Sequence, residues 1–281
     1  MPNVKDYSDL LGWVRNDKEV DKVLETLKYP LFLAACSAIK ESGEGKTVLL
    51  YKFVEKLIGK FNTRVQGTGD CVSFGTATAI DCVKAAEIIS GQREEWIAET
   101  STEDIYGGSR VLIGGNRLNG QQGSFGAWSA RYVSEYGTLV RQKYDGVDLT
   151  KYDVNRAIKW GDNGVPKALL NDVSKHRIRT ISLVKTYAEV RDAIANGYGV
   201  YVCSSTGMSN KRDKYGFSVP SGKWGHCMAV TAVDDVGVGM PNRCSSVLVQ
   251  NSWPVNWISG PTRLDQPPGS FWITADILES E

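Results

Sequence analysis

The chain has 281 residues, 42% hydrophobic and 23% charged, which is globular composition with enough apolar side chains for a sizeable core. Its 33 Lys and Arg nearly balance 32 Asp and Glu, giving a formal charge of +1 with no basic stripe, so no nucleic-acid partner is expected. The longest apolar run, YPLFLAACSAI (29–39), is far too short to span a bilayer, and MPNVKDYSDLLGWVRNDKEVDK lacks a signal-peptide pattern, so no membrane partner and a cytoplasmic location are expected.

Residues 1–61 read as helical: Val20, Val23, Leu24 and Leu27 fall at i, i+3, i+4, i+7 spacing, SGEGK (42–46) interrupts, and TVLLYKFVEKLIGKF follows as a second amphipathic stretch. A loop over 62–70 leads into the apolar, small-residue run from Cys71 to about Ile89, read as a helix. Residues 91–126 are glycine-rich, with a short helix around STEDIYGGSRVLI. AWSARYVSEYG (127–137) has helical spacing and a glycine stop. Residues 138–165 read as extended and loop-rich, and VPKALLNDVSKH as a short helix with proline near its start. RTISLV then reads as β, YAEVRDAIANG as a helix, and YGVYVCSS, HCMAVTAVDD, SSVLVQNSW and GSFWITADI as strands. Helices first and antiparallel strands last define an α+β protein.

The six cysteines (Cys36, Cys71, Cys82, Cys203, Cys227 and Cys244) form no CxxC pair, which argues against zinc ribbons and thioredoxin-type chemistry and for reduced thiols. Cys71 follows Gly-Thr-Gly-Asp at the start of a helix, where the helix dipole favours a thiolate. Asp70 is placed to cap that helix, with its charge turned away from the sulfur. Of the two histidines, His176 sits in a charged, solvent-facing stretch. His226, in SGKWGHCMAVTAV, opens a buried strand from a glycine-bearing turn. Asn251, at the end of another strand in VLVQNSWPVNW, is placed to orient the imidazole, and Trp253 to cover that bond from water. Nucleophile, base and orienter are thus present in a catalytic logic. Cys82 reads as core, and Cys227 as pointing away from His226 into a barrel. SGEGKT lacks the first glycine of a phosphate loop and a preceding strand, so no nucleotide site is read there. Two distant histidines and scattered thiols make no metal ligand set.

QGTGDCVSFG, GHCMAV and QNSWPVNW, in that order, resemble the papain family of cysteine peptidases, with bacterial and phage-encoded members the most similar in kind. The resemblance covers roughly residues 65–281. It implies a two-lobed α+β fold with a helical lobe (65–175) carrying the nucleophile helix, an antiparallel β-barrel-like lobe (176–281) carrying His and Asn, and an N-terminal helical extension (1–64), propeptide-like or permanent. It implies Cys71 as nucleophile, His226 as general acid and base, Asn251 as orienter, Trp253 as shield and Gln66 as oxyanion donor with the Cys71 amide. Gln66 precedes the cysteine by five positions, one fewer than the family's spacing, Val72 replaces a tryptophan and Pro254 a glycine. The implied activity is hydrolysis of polypeptides through a thioester, with no cofactor. Two alternatives use the same scaffold: a catalytically silent structural or binding protein, for instance in a virion, and an acyltransferase or amidase.

Overall fold

The structure is a computed structural model that describes residues 6–92, 95–240 and 244–280, leaving out the side chain of Cys36. In chain order, helix α1 (Asp17–Leu24) is followed by a 3-10 stretch (Phe32–Ala38), strand β1 (Thr47–Leu49) and helix α2 (Leu50–Ile58). Then come α3 (Cys71–Ile89), α4 (Glu103–Gly108) with a π-helical turn (Ser109–Ile113), and α5 (Gly126–Glu135). A two-stranded hairpin, β2 (Lys143–Tyr144) and β3 (Val147–Asp148), precedes α6 (Val154–Asn163) and the short α7 (Leu170–Val173). The last part holds α8 (Tyr187–Ala195), β4 (Val200–Met208), β5 (Pro220–Asp234), β6 (Ser246–Gln250), β7 (Ser270–Thr274) and α9 (Ala275–Glu279).

Helix α3 is the centre of the molecule. Its sequence, CVSFGTATAIDCVKAAEII, is apolar or small on nearly all sides, and Cys71 to Cys82 are buried without a break. A helix of that kind has no face for water and is covered from every direction. One side, with Ala77 and Ile80, packs into a core with Ile105, Tyr132, Leu139, Leu149 and Trp160 of the helical lobe. The other, with Cys82, Ala85 and Ala86, joins the core built on the sheet with Met228, Val230, Val249 and Phe271.

The sheet is an open antiparallel sheet of five strands, not a closed barrel. β5 is its long spine. On one edge it pairs with β6, and β6 with β7; on the other it pairs with β4 and then, at its end, with β1. Leu50 and Tyr51 of α2 are fully buried, so residues 47–58 belong to the sheet and its core, and the all-helical expectation for 1–61 gives way to one strand in that span. RTISLV contributes only an isolated bridge, Leu183 to Leu31, in place of the expected strand.

Helix α6 lies in the stretch read as loop. Asp153 caps it by accepting from the Arg156 N–H at 2.7 Å, and Ala157, Trp160 and Gly161 form its buried face. Glu103 of α4 ties this region together. Fully buried, it accepts from Arg141 Nη1 at 2.6 Å, Arg156 Nη2 at 2.9 Å and the Asp153 N–H at 3.1 Å. The paired guanidinium groups hold its carboxyl below the usual range despite burial. Glu103→Gln leaves two half-buried guanidinium groups without their fully buried anion and is expected to lower unfolding stability by about 3 kcal/mol, read as a reduced urea midpoint at unchanged slope.

Candidate active site

Cys71 is the first residue of α3 and is fully buried where that helix meets β5. The backbone N–H groups of Cys227 and Gly12 point at its sulfur, yet burial dominates and pushes the thiol well above its ordinary pKa. Asp70 does not cap the helix as expected. Its carboxyl accepts from Tyr152 Oη at 2.9 Å, and burial raises it to about 8, so at neutral pH it is largely uncharged. The charge that would oppose a thiolate is thereby removed.

His226, on β5, is also fully buried. Its Nε2 lies 2.8 Å from Asn251 Oδ1. The same oxygen accepts from the Ser252 N–H at 2.7 Å. A backbone amide can only donate, so that contact fixes which end of the Asn251 amide faces the ring. The ring then donates from Nε2, and the neutral imidazole keeps its lone pair on Nδ1. Nδ1 is buried without a hydrogen-bond partner. Burial lowers the ring to about 4, partly offset by the Asn251 bond. Thiol and imidazole are therefore both neutral in this closed state, and the helix-start thiolate expected from the sequence is not its resting form.

Below pH 6.5 the unfolded chain protonates this histidine while the folded one resists down to about 4, so folding stability falls as pH drops through that window. Asp70 has the opposite slope over the same range, because its folded form holds a proton longer. The difference between wild type and His226→Gln in urea midpoint against pH isolates the histidine and is expected to shrink as pH falls from 6.5 to 4.

Trp253 covers the ring, with centroids 4.7 Å apart at 33°. Sequence reading missed two further members of this shield. Trp224, two residues before His226 on the same strand face, stands edge-on at 5.3 Å, and Trp257 meets Trp253 edge-on at 5.3 Å. Strand alternation was the available signal for Trp224. Tyr7 stacks on the outer side of Trp253 at 4.8 Å.

Gln66 is buried despite its short spacing. Its N–H donates to Ser252 O at 2.9 Å, and Ser252 Oγ donates to its Oε1 at 2.6 Å, which joins the loop before α3 to the loop after β6. Its Nε2 donates to two carbonyls, Thr68 O at 2.7 Å and Leu10 O at 2.8 Å. The structure thus brings Gln66, Cys71, His226, Asn251 and Trp253 into one region. Cys227 does point away from His226, but into the interface with α3 beside Cys71, not into a barrel.

The groove between the lobes is filled by the chain's own N-terminal segment. Gly12 and Trp13 N–H groups donate to Gly225 O at 3.0 and 2.9 Å. On the opposite wall Ser124 N–H donates to Gly12 O at 2.8 Å and Val14 N–H donates to Ser124 O at 3.1 Å, pairing Trp13 with Ser124 in parallel. The Trp13 side chain packs against the buried cluster of Cys71, Val72 and Cys227. Arg110, buried on α4's π-helical extension, braces the wall by donating to the carbonyls of Gly123 and Leu118. Beyond the groove, α1 docks on α5 through the buried Glu19, which accepts from Arg117 Nη2 at 2.7 Å and Trp128 Nε1 at 2.8 Å. Arg117 above all holds that carboxyl far below the usual range.

Among the described residues, no group of three or more His, Cys, Asp or Glu is arranged to hold a metal ion. No helix among them is long and apolar enough to cross a membrane.

An α3-like helix set against an antiparallel sheet, with a cleft between, is the architecture of papain-like cysteine proteases, and this chain has that fold. It is similar to xylellain, a cysteine protease from Xylella fastidiosa, at 16% identity and TM-score 0.54 over 99% of this chain and 90% of that one. It is also similar to proCathepsin B S9 from Trypanosoma congolense, at 13% identity and TM-score 0.52 over 96% of this chain and 83% of that one. No family model matches the sequence, and no curated protein matches it.

Proposed function

We propose that the chain is a cysteine peptidase whose cleft is held shut by its own N-terminal segment. The observation that carries this reading is the His226–Asn251 pair. Its geometry leaves a deprotonated, unpartnered Nδ1 beside the strand position whose N–H points at the Cys71 sulfur. With the segment displaced, water and substrate reach the groove and the desolvation that keeps both groups neutral is relieved.

In this mechanism Nδ1 takes the Cys71 proton and the thiolate attacks the carbonyl carbon of a bound polypeptide. The developing oxyanion is held by the Cys71 N–H, free at the helix start, and by Gln66 Nε2, which already donates to a carbonyl oxygen in the groove. The imidazolium protonates the leaving amine and a thioester forms. Water, with Nδ1 as base, then releases the acid. Residues 65–175 and 176–281 act as the two lobes, and the N-terminal extension, residues 1–64, supplies the blocking segment, which we take as retained.

Iodoacetamide at mildly acidic pH tests the reading. Cys71 in the full chain is expected to label slowly while the segment is in place; in Gly12→Ala it is expected to label faster than a free thiol, with the advantage lost when His226→Ala is added. Labelling no faster than a free thiol in Gly12→Ala indicates a silent scaffold. Products formed with an added amine nucleophile separate hydrolysis from acyl transfer, which uses the same three groups.

A further inference from the structure

Two other thiols border the Cys71 sulfur, and the peptidase chemistry uses neither. Cys203 on β4 and Cys227 on β5 are directly opposed in the antiparallel register. Burial pushes the Cys227 thiol well up, and the neighbouring Cys203 and Cys71 add to that push. Cys227 packs with Cys71 and Val72 in one apolar cluster that Cys203 adjoins. Each thiol sits over a glycine. A Cβ on Gly75, one helical turn beyond Cys71, would meet Cys227 Sγ at 2.9 Å, and a Cβ on Gly126 would meet Cys203 Sγ at 2.7 Å. The backbone thus leaves room for sulfur at both places. Opposed antiparallel residues have Cα atoms about 4.5–5.5 Å apart, inside the roughly 4.4–6.8 Å a disulfide requires. All three are free thiols here.

We propose that Cys227 and Cys203 form a resolving dithiol that rescues an oxidised Cys71. The proposal rests on the reading of Cys71 as a reactive thiol. The oxidant is hydrogen peroxide. The Cys71 thiolate attacks one peroxide oxygen; the S–O bond forms, the O–O bond breaks, and hydroxide leaves to become water, giving the sulfenic acid. The Cys227 thiolate attacks that sulfur, the Cys71–Cys227 disulfide forms, and the S–O bond breaks with release of a second water. Cys203 then attacks the Cys227 sulfur and displaces the Cys71 thiolate. The balance is one peroxide and two thiols to one Cys203–Cys227 disulfide and two waters, with the nucleophile regenerated. Without a resolving partner, Cys71 would proceed to the irreversible sulfinic acid.

The test treats the full chain, wild type and Gly12→Ala, with hydrogen peroxide, blocks remaining thiols by alkylation and maps the cysteines by mass spectrometry. The expected product loses two hydrogens as a Cys203–Cys227 disulfide and is restored by dithiothreitol. Cys203→Ser is expected to trap the Cys71–Cys227 disulfide, and Cys227→Ser to accumulate Cys71 carrying two added oxygens. The disulfide is expected to be lost in Cys71→Ala. The proposal is overturned if, in Gly12→Ala, Cys71 gains oxygens while Cys203 and Cys227 stay reduced or all three stay reduced, or if the Cys203–Cys227 disulfide forms equally when Cys71→Ala is added. Fast, His226-dependent iodoacetamide labelling together with any of those outcomes leaves the peptidase reading standing and removes only the relay.

Discussion

Gly12→Ala is expected to unseat the N-terminal segment and raise the rate of Cys71 alkylation by about 10²–10³-fold. A Cβ on Gly12 would lie 1.8 Å from the Gly69 carbonyl oxygen and 2.8 Å from its Cα. Both are backbone atoms of the loop that starts α3, so no rotamer relieves the clash. The segment must lift, and it loses the hydrogen bonds joining Leu10, Gly12, Trp13 and Val14 to Gln66, Gly225 and Ser124. At about 1 kcal/mol each, losing several of these bonds shifts the opening equilibrium by the stated factor. Helix α1 should stay docked, because the Glu19 contacts with Arg117 and Trp128 lie beyond the groove. Trp13→Ala provides a second route, removing the side chain that packs on the Cys71, Val72 and Cys227 cluster without a backbone clash. Stopped-time iodoacetamide labelling with peptide mapping reads both variants. Unchanged labelling in both, with near-ultraviolet circular dichroism intact, rules out the segment as the barrier.

His226→Ala in the opened chain is expected to reduce peptide cleavage by about 10⁴–10⁶-fold, the range seen when a member of a catalytic triad is removed. The cause is specific. Burial holds the Cys71 proton in place, and the neighbouring Asp70 is largely protonated at neutral pH and turned to Tyr152, so it is no substitute base. Asn251→Ala is expected to lose less turnover, because Nδ1 stays in place while the ring gains rotational freedom and a choice of tautomer. Its pH–rate profile should lose the shape set by a fixed Nε2–H. The measurement is kcat/KM against pH on a casein substrate. A His226→Ala rate within tenfold of the parent would place the base elsewhere.

Which parts of this protein were open to sequence reading follows from the range of the forces involved. The α3 boundaries, the helix at 187–195 and the strands around Cys203, His226, Asn251 and Phe271 were legible, because apolar periodicity and turn residues act within a few positions. Helix α6 was not, because Gly161 and polar neighbours blurred a face defined only by Ala157 and Trp160. The spacing from Gln66 to Cys71 is one residue short of the family's, and what holds the buried Gln66 side chain is Ser252, from a distant loop that no local pattern records. Asp70 stands where a cap belongs, but Tyr152, far along the chain, offers a stronger contact.

The sequence by itself determined the helix-borne thiol, the strand-borne imidazole, the amide behind it and the α+β order of elements, since each is written in local residue type and spacing. Only the tertiary structure decided that residues 10–14 lie in the groove, that the sheet stays open, and that two further thiols meet beside Cys71. Those outcomes depend on strand register and on packing between segments far apart in the chain, where one residue of slip redirects every side chain and no local pattern records the partner.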